Sequence, residues 1–176
     1  ANEAKVGAGI AASGVDREDL WVTTKVWMDN AAADAVVKST HDSLRRLGLD
    51  HVDLLLIHWP SEKVPLSETL GAMEKLMRSG ETRYIGVSNF PPSLLRESLE
   101  MAPLQCIQVE HHPYLAQDEI RQLAERRELM LTAYSPLARG EVMEDETLQA
   151  IAEETGKSPA QVVLRWLTQH RNVAAI

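Results

Sequence analysis

Cysteine is nearly absent from the sequence, since Cys106 is the only one among 176 residues. A disulfide framework is therefore excluded. Cys106 lies in the apolar stretch 104–107, which favours a small buried hydrophobic residue over a reactive thiol. Because a chain without disulfides is typical of a reducing setting, we expect a cytoplasmic protein.

Long apolar runs and clusters of basic residues are also lacking. No run approaches the roughly 18 apolar residues that span a bilayer, and the first residues lack the basic and hydrophobic regions of a secretory signal. The net charge is -8, with no run of lysine or arginine that could neutralise phosphates. We therefore expect neither a membrane nor a nucleic acid as a partner.

Strand-like and helix-like segments alternate along the chain. Apolar runs predict strands at residues 20–26, 52–58, 83–88, 104–110 and 129–134, with a sixth beginning at 173. Helical periodicity predicts helices at residues 36–47, 65–77, 91–99, 118–126, 145–155 and 159–169. We expect Gly48 and Gly80 to end the first two helices and Ser158 to cap the last.

This alternation predicts an α/β fold with a parallel sheet and right-handed crossovers. The Gly-rich turn of a dinucleotide-binding doubly wound sheet is missing, so a (β/α)8 barrel is the better interpretation. A complete barrel takes roughly 250 residues, and 176 fall short of that. No repeat or linker divides the chain, so we expect residues 1–176 to form a single, partial barrel domain.

Lys25 and His58 each stand where a predicted buried strand ends. An ionisable group at such a place carries a desolvation cost, and strand C-termini are where barrel enzymes do their chemistry. Alone, Lys25 is more often a lysine that extends into solvent, and His58 is as often a core residue as a functional one. Their shared strand-end position favours function.

His111 and His112 are adjacent, so in an extended chain their side chains point to opposite faces. They could hardly bind the same metal ion, and we interpret them as structural. No metal site is predicted.

Several motifs follow one another in a fixed order. They are Asn2-Glu3 with Val6-Gly7, VTTKVW at 22–27, DLLLIHWP at 53–60, IGVSNF at 85–90, QVEHHPY at 108–114, AYSPL at 133–137 and PAQVVLRW at 159–166. Across essentially the whole chain this set resembles the aldo-keto reductase family, most closely its bacterial diketogluconate reductase-like members. The resemblance implies a (β/α)8 TIM barrel and an oxidoreductase that transfers a hydride from NADPH to an aldehyde or ketone.

The family's active site is a tetrad of Asp, Tyr, Lys and His. By resemblance, Lys25 is the tetrad lysine, whose charge lowers the pKa of the tyrosine and makes it a better proton donor. His58 is the tetrad histidine, which can hydrogen-bond the substrate carbonyl. Trp27 and Trp59 match positions that wall the substrate pocket.

The cofactor contacts implied by the resemblance fall on later strand ends. Ser88 and Asn89 match residues that hold the nicotinamide carboxamide, with Gln108 as a third partner, although alone Ser88 and Asn89 could simply cap the following helix. Tyr134 matches the ring that stacks beneath the nicotinamide. The positions that match the family's pyrophosphate contacts are Ser135 and Leu137. NADPH is the expected cofactor, and NADH stays open.

The resemblance also places some family elements beyond the chain. The catalytic tyrosine corresponds to the position just before Ala1, and the tetrad aspartate lies further upstream with the first two strands. The segment that binds the adenosine phosphate would follow Ile176. We therefore expect the real polypeptide to contain residues on both sides of this sequence.

Two functions fit these observations. One is an NADPH-dependent reductase of aldehydes or ketones, with diketo sugar acids and 2-oxo aldehydes as candidate substrates. The other is a non-catalytic relative that binds a nicotinamide nucleotide or acts as a scaffold. The presence of both Lys25 and His58 favours the enzyme, because a binding module need not keep both. We expect a monomer acting on a small-molecule carbonyl.

Overall fold

A computed structural model describes residues 2–176 of the chain. Helices and strands alternate in chain order, and tertiary contacts divide them into two compact units. The first unit comprises the residues up to 88 together with 93–104, and the second comprises 89–92 together with 105–176. The prediction of a single domain over residues 1–176 stays a prediction.

The first unit is built on three parallel strands. Its helices and strands are α1 (Glu3–Ser13), β1 (Thr23–Val26), α2 (Ala33–Leu47), β2 (Val52–Ile57), α3 (Leu66–Arg78), β3 (Thr82–Ser88) and most of α4 (Pro92–Met101). β2 pairs with β1 on one side, where Lys25 lies opposite Leu56, and with β3 on the other. Every residue of β2 is buried, as its unbroken apolar run predicts for a central parallel strand.

The second unit repeats the arrangement. Its elements are β4 (Cys106–Glu110), α5 (Asp118–Arg126), β5 (Met130–Tyr134), α6 (Glu146–Thr155), α7 (Pro159–Thr168) and β6 (Val173–Ala175). β5 pairs in parallel with β4 and with β6. The predicted cap of α7 is confirmed, because the Ser158 hydroxyl accepts a hydrogen bond from the Gln161 N–H and the Gln161 side chain accepts one from the Ser158 N–H. Cys106 is buried as expected, with its sulfur 3.5 Å from the Thr132 hydroxyl.

Some element boundaries differ from the sequence-based prediction. β1 begins at Thr23 rather than at residue 20, because a short 3-10 turn at Arg17–Asp19 precedes it. Gly48 caps α2 in the left-handed conformation as predicted, whereas α3 ends at Arg78 with Ser79 as its C-cap, one residue before Gly80. Helix α1 was not predicted, since its alanines and glycines form no apolar stripe of helical period.

Helix α1 lies unusually close to the end of α2. A Cβ atom placed on Gly7 would lie 2.3 Å from the carbonyl oxygen of Leu47, so only glycine permits this approach. Glu3 fixes the same helix by accepting hydrogen bonds from the Thr24 hydroxyl at 2.6 Å and from Arg46 Nε at 2.7 Å. The first turn of α1 is therefore attached both to β1 and to α2.

Replacing Gly7 by alanine is expected to destabilise the protein by about 1–3 kcal/mol, because the new methyl group must push α1 away from α2. Gly9→Ala is the matched control, since a Cβ at Gly9 meets nothing within 4 Å. That control should gain about 0.5–1 kcal/mol from helix propensity. Urea denaturation measures both, and equal stabilities for the two variants would contradict the close approach.

Asp53, at the start of β2, is a buried carboxylate that accepts two hydrogen bonds and forms an ion pair with a second arginine. Its Oδ2 accepts hydrogen bonds from Arg17 and from the Val22 N–H, both at 2.8 Å, and its Oδ1 lies 3.2 Å from Arg83. Arg83 also pairs with Glu18 at the surface. Burial alone would raise the pKa of Asp53, but the bonds from Val22 and Arg17 hold that pKa below its ordinary value. The network joins the beginnings of all three strands of the first unit.

Asp53→Asn should lower the free energy of unfolding by about 1.5–3 kcal/mol at neutral pH, since it removes the charge that these donors face. The depressed pKa means that this stabilisation is present above the pKa of the unfolded chain and is lost as the pH falls through the folded value. The difference from the parent should therefore shrink below about pH 4. Asp34→Asn, at an exposed position of α2, is the control, and an Asp53→Asn difference independent of pH would contradict the assignment.

Candidate active site

Two strand ends of the first unit bring together three predicted site residues. Lys25 is the third residue of β1, and His58 directly follows β2, where its backbone N–H donates to the Val26 carbonyl at 2.9 Å. The rings of Trp27 and His58 meet edge to face, with centroids 5.0 Å apart. Lys25, Trp27 and His58 line one cleft of about 680 Å³.

The electrostatics of this cluster favour a neutral histidine. Burial lowers the pKa of His58, and the positive charge of Lys25 lowers it further. A neutral imidazole next to a cation can donate a hydrogen bond while the lysine supplies the positive charge. The two roles, hydrogen-bond donor and positive charge, thus fall to two different side chains, His58 and Lys25.

Trp27 and Trp59 were both predicted to wall the substrate pocket, but the structure places Trp59 differently from Trp27. It follows His58 in the chain, is 42% exposed and does not line the cleft that contains Lys25. Trp27 is about as exposed, yet its ring contacts His58. Of the two tryptophans, the structure joins only Trp27 to the cluster in the first unit.

The second unit brings together three of the residues that resemble cofactor contacts. The hydroxyl of Tyr134, at the end of β5, donates to Asn89 Oδ1 at 2.8 Å. The backbone N–H of Asn89 donates to the carbonyl of Gln108 at 2.9 Å, and Gln108 itself is buried in β4. Burial and the negative charge of Glu110 raise the pKa of Tyr134, so its phenol stays a protonated donor.

The backbone at and near these residues has positive φ angles, which residues other than glycine rarely adopt. Asn89 has a φ of 61° and Ser135 a φ of 49°, both in the left-handed region, and Ala138 and Arg139 follow with 46° and 55°. The Ser135 carbonyl accepts the Ala138 N–H at 2.9 Å, which closes a turn around Leu137. Left-handed residues other than glycine cluster at functional sites. Ser135 and Leu137 therefore lie in a constrained turn. The sequence gives no sign of this turn, because the first glycine in this stretch is Gly140.

The remaining candidates have separate surroundings. Ser88 ends β3 in the first unit and is buried. The His111 ring packs against Trp166 at 5.2 Å, and burial lowers its pKa, whereas His112 lies 3.4 Å from the Glu110 carboxylate. Residues 2–176 contain no group of histidine, cysteine and acidic side chains suited to a metal ion. None of the helices described is long and apolar enough to cross a membrane.

Comparison with known proteins shows the class. The sequence model of the Aldo/keto reductase family matches residues 1–176, and the chain belongs to this family. It is 45% identical over 171 residues to the glyoxal reductase of Bacillus subtilis, which covers 96% of this chain and 62% of that protein. It is 39% identical to the NAD(P)H-dependent D-xylose reductase of Scheffersomyces stipitis, covering all of this chain and 69% of that one. The methylglyoxal reductase of Escherichia coli O157:H7 is also 39% identical, over 94% of this chain and 64% of the relative.

Solved structures agree with this result. A protein provisionally identified as a 2,5-diketo-D-gluconic acid reductase B superposes with a TM-score of 0.96 at 45% identity, covering 99% of this chain and 63% of that structure. A thermostable aldo-keto reductase crystallised with the inhibitor epalrestat gives 0.90 at 39% identity, over 99% and 65% of the two chains. The predicted family and the α/β fold class are confirmed, with the chain carrying part of the family's (β/α)8 barrel. It spans about 62% of the length of the first of the curated relatives above.

Removing the charge of Lys25 should raise the pKa of His58. Burial remains in Lys25→Met, so the pKa should rise without passing its ordinary value. Lys38→Met is the matched control, because Lys38 lines the same cleft but is not among the causes of the His58 shift. NMR titration of the His58 ring measures the change, with His111 as an internal reference. A His58 titration that is the same in both variants would show that Lys25 does not act on it.

Proposed function

We propose that the protein reduces aldehydes or ketones to alcohols with a nicotinamide cofactor. The observation that carries this proposal is the pairing, in the first unit, of the Lys25 cation with an uncharged His58 beside Trp27. Membership of the aldo/keto reductase family supports it, as do relatives whose names are those of reductases.

Each of these side chains has a role in that reaction. The neutral imidazole of His58 donates a hydrogen bond to the carbonyl oxygen of the substrate and orients it. Lys25 stabilises the negative charge that develops on this oxygen, and its charge favours the ionised form of a neighbouring proton donor. Trp27 offers an apolar wall that suits a carbonyl compound with few polar groups. Trp59 is proposed as a second wall on the strength of the resemblance alone.

The residues of the second unit fit a nicotinamide nucleotide. The amide of Asn89 and the ring of Tyr134 are held by a direct hydrogen bond, and Gln108 anchors the Asn89 backbone. Amide groups suit a carboxamide, and a flat phenol ring suits a flat pyridine ring. We assign Asn89, Gln108 and Tyr134 to the nicotinamide, and Ser88 of the first unit is proposed as a contact on the strength of the resemblance alone. The pyrophosphate is assigned to the constrained turn that contains Ser135 and Leu137. When bound, the reduced cofactor supplies the hydride that the carbonyl carbon receives.

NADPH is the proposed reductant, and NADH is the alternative to be compared with it. One relative, at 39% identity, is a xylose reductase whose name gives both NADH and NADPH as the reductant. Small 2-oxo aldehydes are the proposed substrate class, because glyoxal and methylglyoxal reductases are among the relatives. Diketo sugar acids are the second class to assay. A cytoplasmic monomer stays a prediction from the sequence.

The test is reduction of methylglyoxal and 2,5-diketogluconate by the purified protein, followed by the loss of NADPH fluorescence. Lys25→Met should reduce kcat by about 10²–10⁴-fold, because it removes charge stabilisation at the reacting oxygen. Its cofactor affinity should be unchanged, and Lys38→Met should turn over like the parent. Binding of NADPH without turnover of any carbonyl would support the non-catalytic alternative instead. Full activity of Lys25→Met would contradict the role given to this lysine.

A further inference from the structure

The face of β1 that turns away from Lys25 contains a polar residue between two apolar ones. Side chains alternate along a strand, so Val22, Thr24 and Val26 share this face, and all three are buried. Valine, which has nearly the same shape as threonine, would suit the face without the cost of burying a hydroxyl. The Thr24 hydroxyl donates a hydrogen bond to Glu3 Oε1 at 2.6 Å. Strand β1 thus makes a polar contact directly before Lys25.

The Glu3 carboxylate is itself held from the other side. Its Oε2 accepts a hydrogen bond from Arg46 Nε at 2.7 Å and lies 2.6 Å from Arg46 Nη2. The same Nη2 donates to the Ser43 hydroxyl at 3.1 Å. Burial alone would raise the pKa of Glu3, but hydrogen bonds from Thr24 and Arg46 keep that pKa below its ordinary value. Glu3 is therefore a charged acceptor that helix α2 holds in place, and Thr24 is attached to it.

These contacts lie beside the candidate catalytic pair. Glu3, Thr24 and Arg46 line the same cleft as Lys25 and His58. The register with β2 sets the position of Lys25 along the sheet. The bond from Thr24 to Glu3 adds a fixed point on the opposite face of the strand. Because Lys25 directly follows Thr24, a twist of β1 that moved one side chain would move the other as well.

We propose that Glu3 is a positioning residue, which acts through the Thr24 hydroxyl to hold β1 so that Lys25 lies beside His58. Where it concerns turnover the inference rests on the proposed function, and it adds a residue that acts on the site through its neighbour. Without this bond the strand end can shift and increase the distance between Lys25 and the imidazole. The effect of the lysine charge on His58, and on the reacting oxygen, then weakens with distance.

The pKa of His58 reports the position of Lys25, because the lysine charge lowers it in addition to burial. Thr24→Val removes the bond to Glu3 without changing any charge, so the His58 pKa should rise by part of the rise in Lys25→Met. In the Lys25→Met background, Thr24→Val should cause no further rise, because no lysine charge is left to displace. NMR titration of the His58 ring measures both effects. An unchanged pKa in Thr24→Val, or an equal rise in both backgrounds, would overturn the inference.

Turnover gives a second measurement. Thr24→Val should lower kcat for methylglyoxal by about tenfold, and by less than Lys25→Met does, since a small misplacement of a reacting group is costly. The Kd for NADPH should stay parental, because neither Thr24 nor Glu3 is assigned to the nucleotide. Weaker NADPH binding with an unchanged kcat would overturn the inference. A parent that reduces no carbonyl would refute the proposed function instead, and the His58 titration would then decide the inference alone.

Two replacements of Thr24 separate positioning from packing. Thr24→Ser keeps the hydroxyl and loses a methyl group, whereas Thr24→Val keeps the shape and loses the hydroxyl. Positioning predicts that only the serine variant retains the parental kcat and His58 pKa, and the reverse order would overturn the inference. Thr40→Val is the matched control, since Thr40 is also buried and its hydroxyl donates to the Val36 carbonyl at 2.8 Å within α2. It should lower stability and leave kcat and the His58 pKa parental.

Two neutral replacements of Glu3 test the acceptor itself, and they decide the question even if Thr24→Val fails to fold. Glu3→Gln and Glu3→Ala both remove a negative charge, and this removal by itself can only lower the pKa of His58. The glutamine oxygen can still accept the hydrogen bond from Thr24, whereas alanine cannot. The His58 pKa should therefore be higher in Glu3→Ala than in Glu3→Gln. The same pKa in these two variants would overturn the inference.

Discussion

Parallel strand pairing is the constraint on which both groups of candidate residues depend. In the first unit, the register that sets Lys25 opposite Leu56 also brings His58 to the same end of the strands. In the second unit, the register that sets Glu110 opposite Tyr134 carries the phenol to the carboxyl end of β4. A slip of one residue in either pair would turn every side chain to the other face. The positions of the candidate site residues therefore depend first on the register of the strands, and only then on the loops that follow them.

The first unit holds an ionisable group in a different charge state at each of its two ends. Where the strands begin, Asp53 keeps its charge, because Arg17 and the Val22 N–H bond it. Where they end, His58 is neutral, since burial and Lys25 both oppose protonation. A charge that is paired and hydrogen-bonded serves stability, whereas a polar group held neutral beside a cation suits a reaction. This division matches the general pattern of barrels, in which one face stabilises and the other reacts.

Much of the fold was readable from the sequence, and the site was readable in part. Unbroken apolar runs identified the strands, and the position of Lys25 and His58 at the ends of two of them led to their prediction as site residues. Helix α1 was missed because alanine and glycine carry no helical stripe. The left-handed turn at Ser135 could not be predicted, since serine gives no signal for a positive φ. The bond between Tyr134 and Asn89 lies beyond any periodicity, because only tertiary structure brings residues so distant in sequence together.

Cys106, the one cysteine of the sequence, can serve as a probe of local opening in the second unit. Cys106 begins β4, is 3% exposed and lies beside Thr132 of β5. A thiol reagent can reach it only when these strands separate from their surroundings, so the labelling rate reports the free energy of local opening. No other thiol in the chain competes for the reagent. The rate of local opening in this unit, and the extent to which a bound ligand lowers that rate, can thus be measured at one sulfur atom.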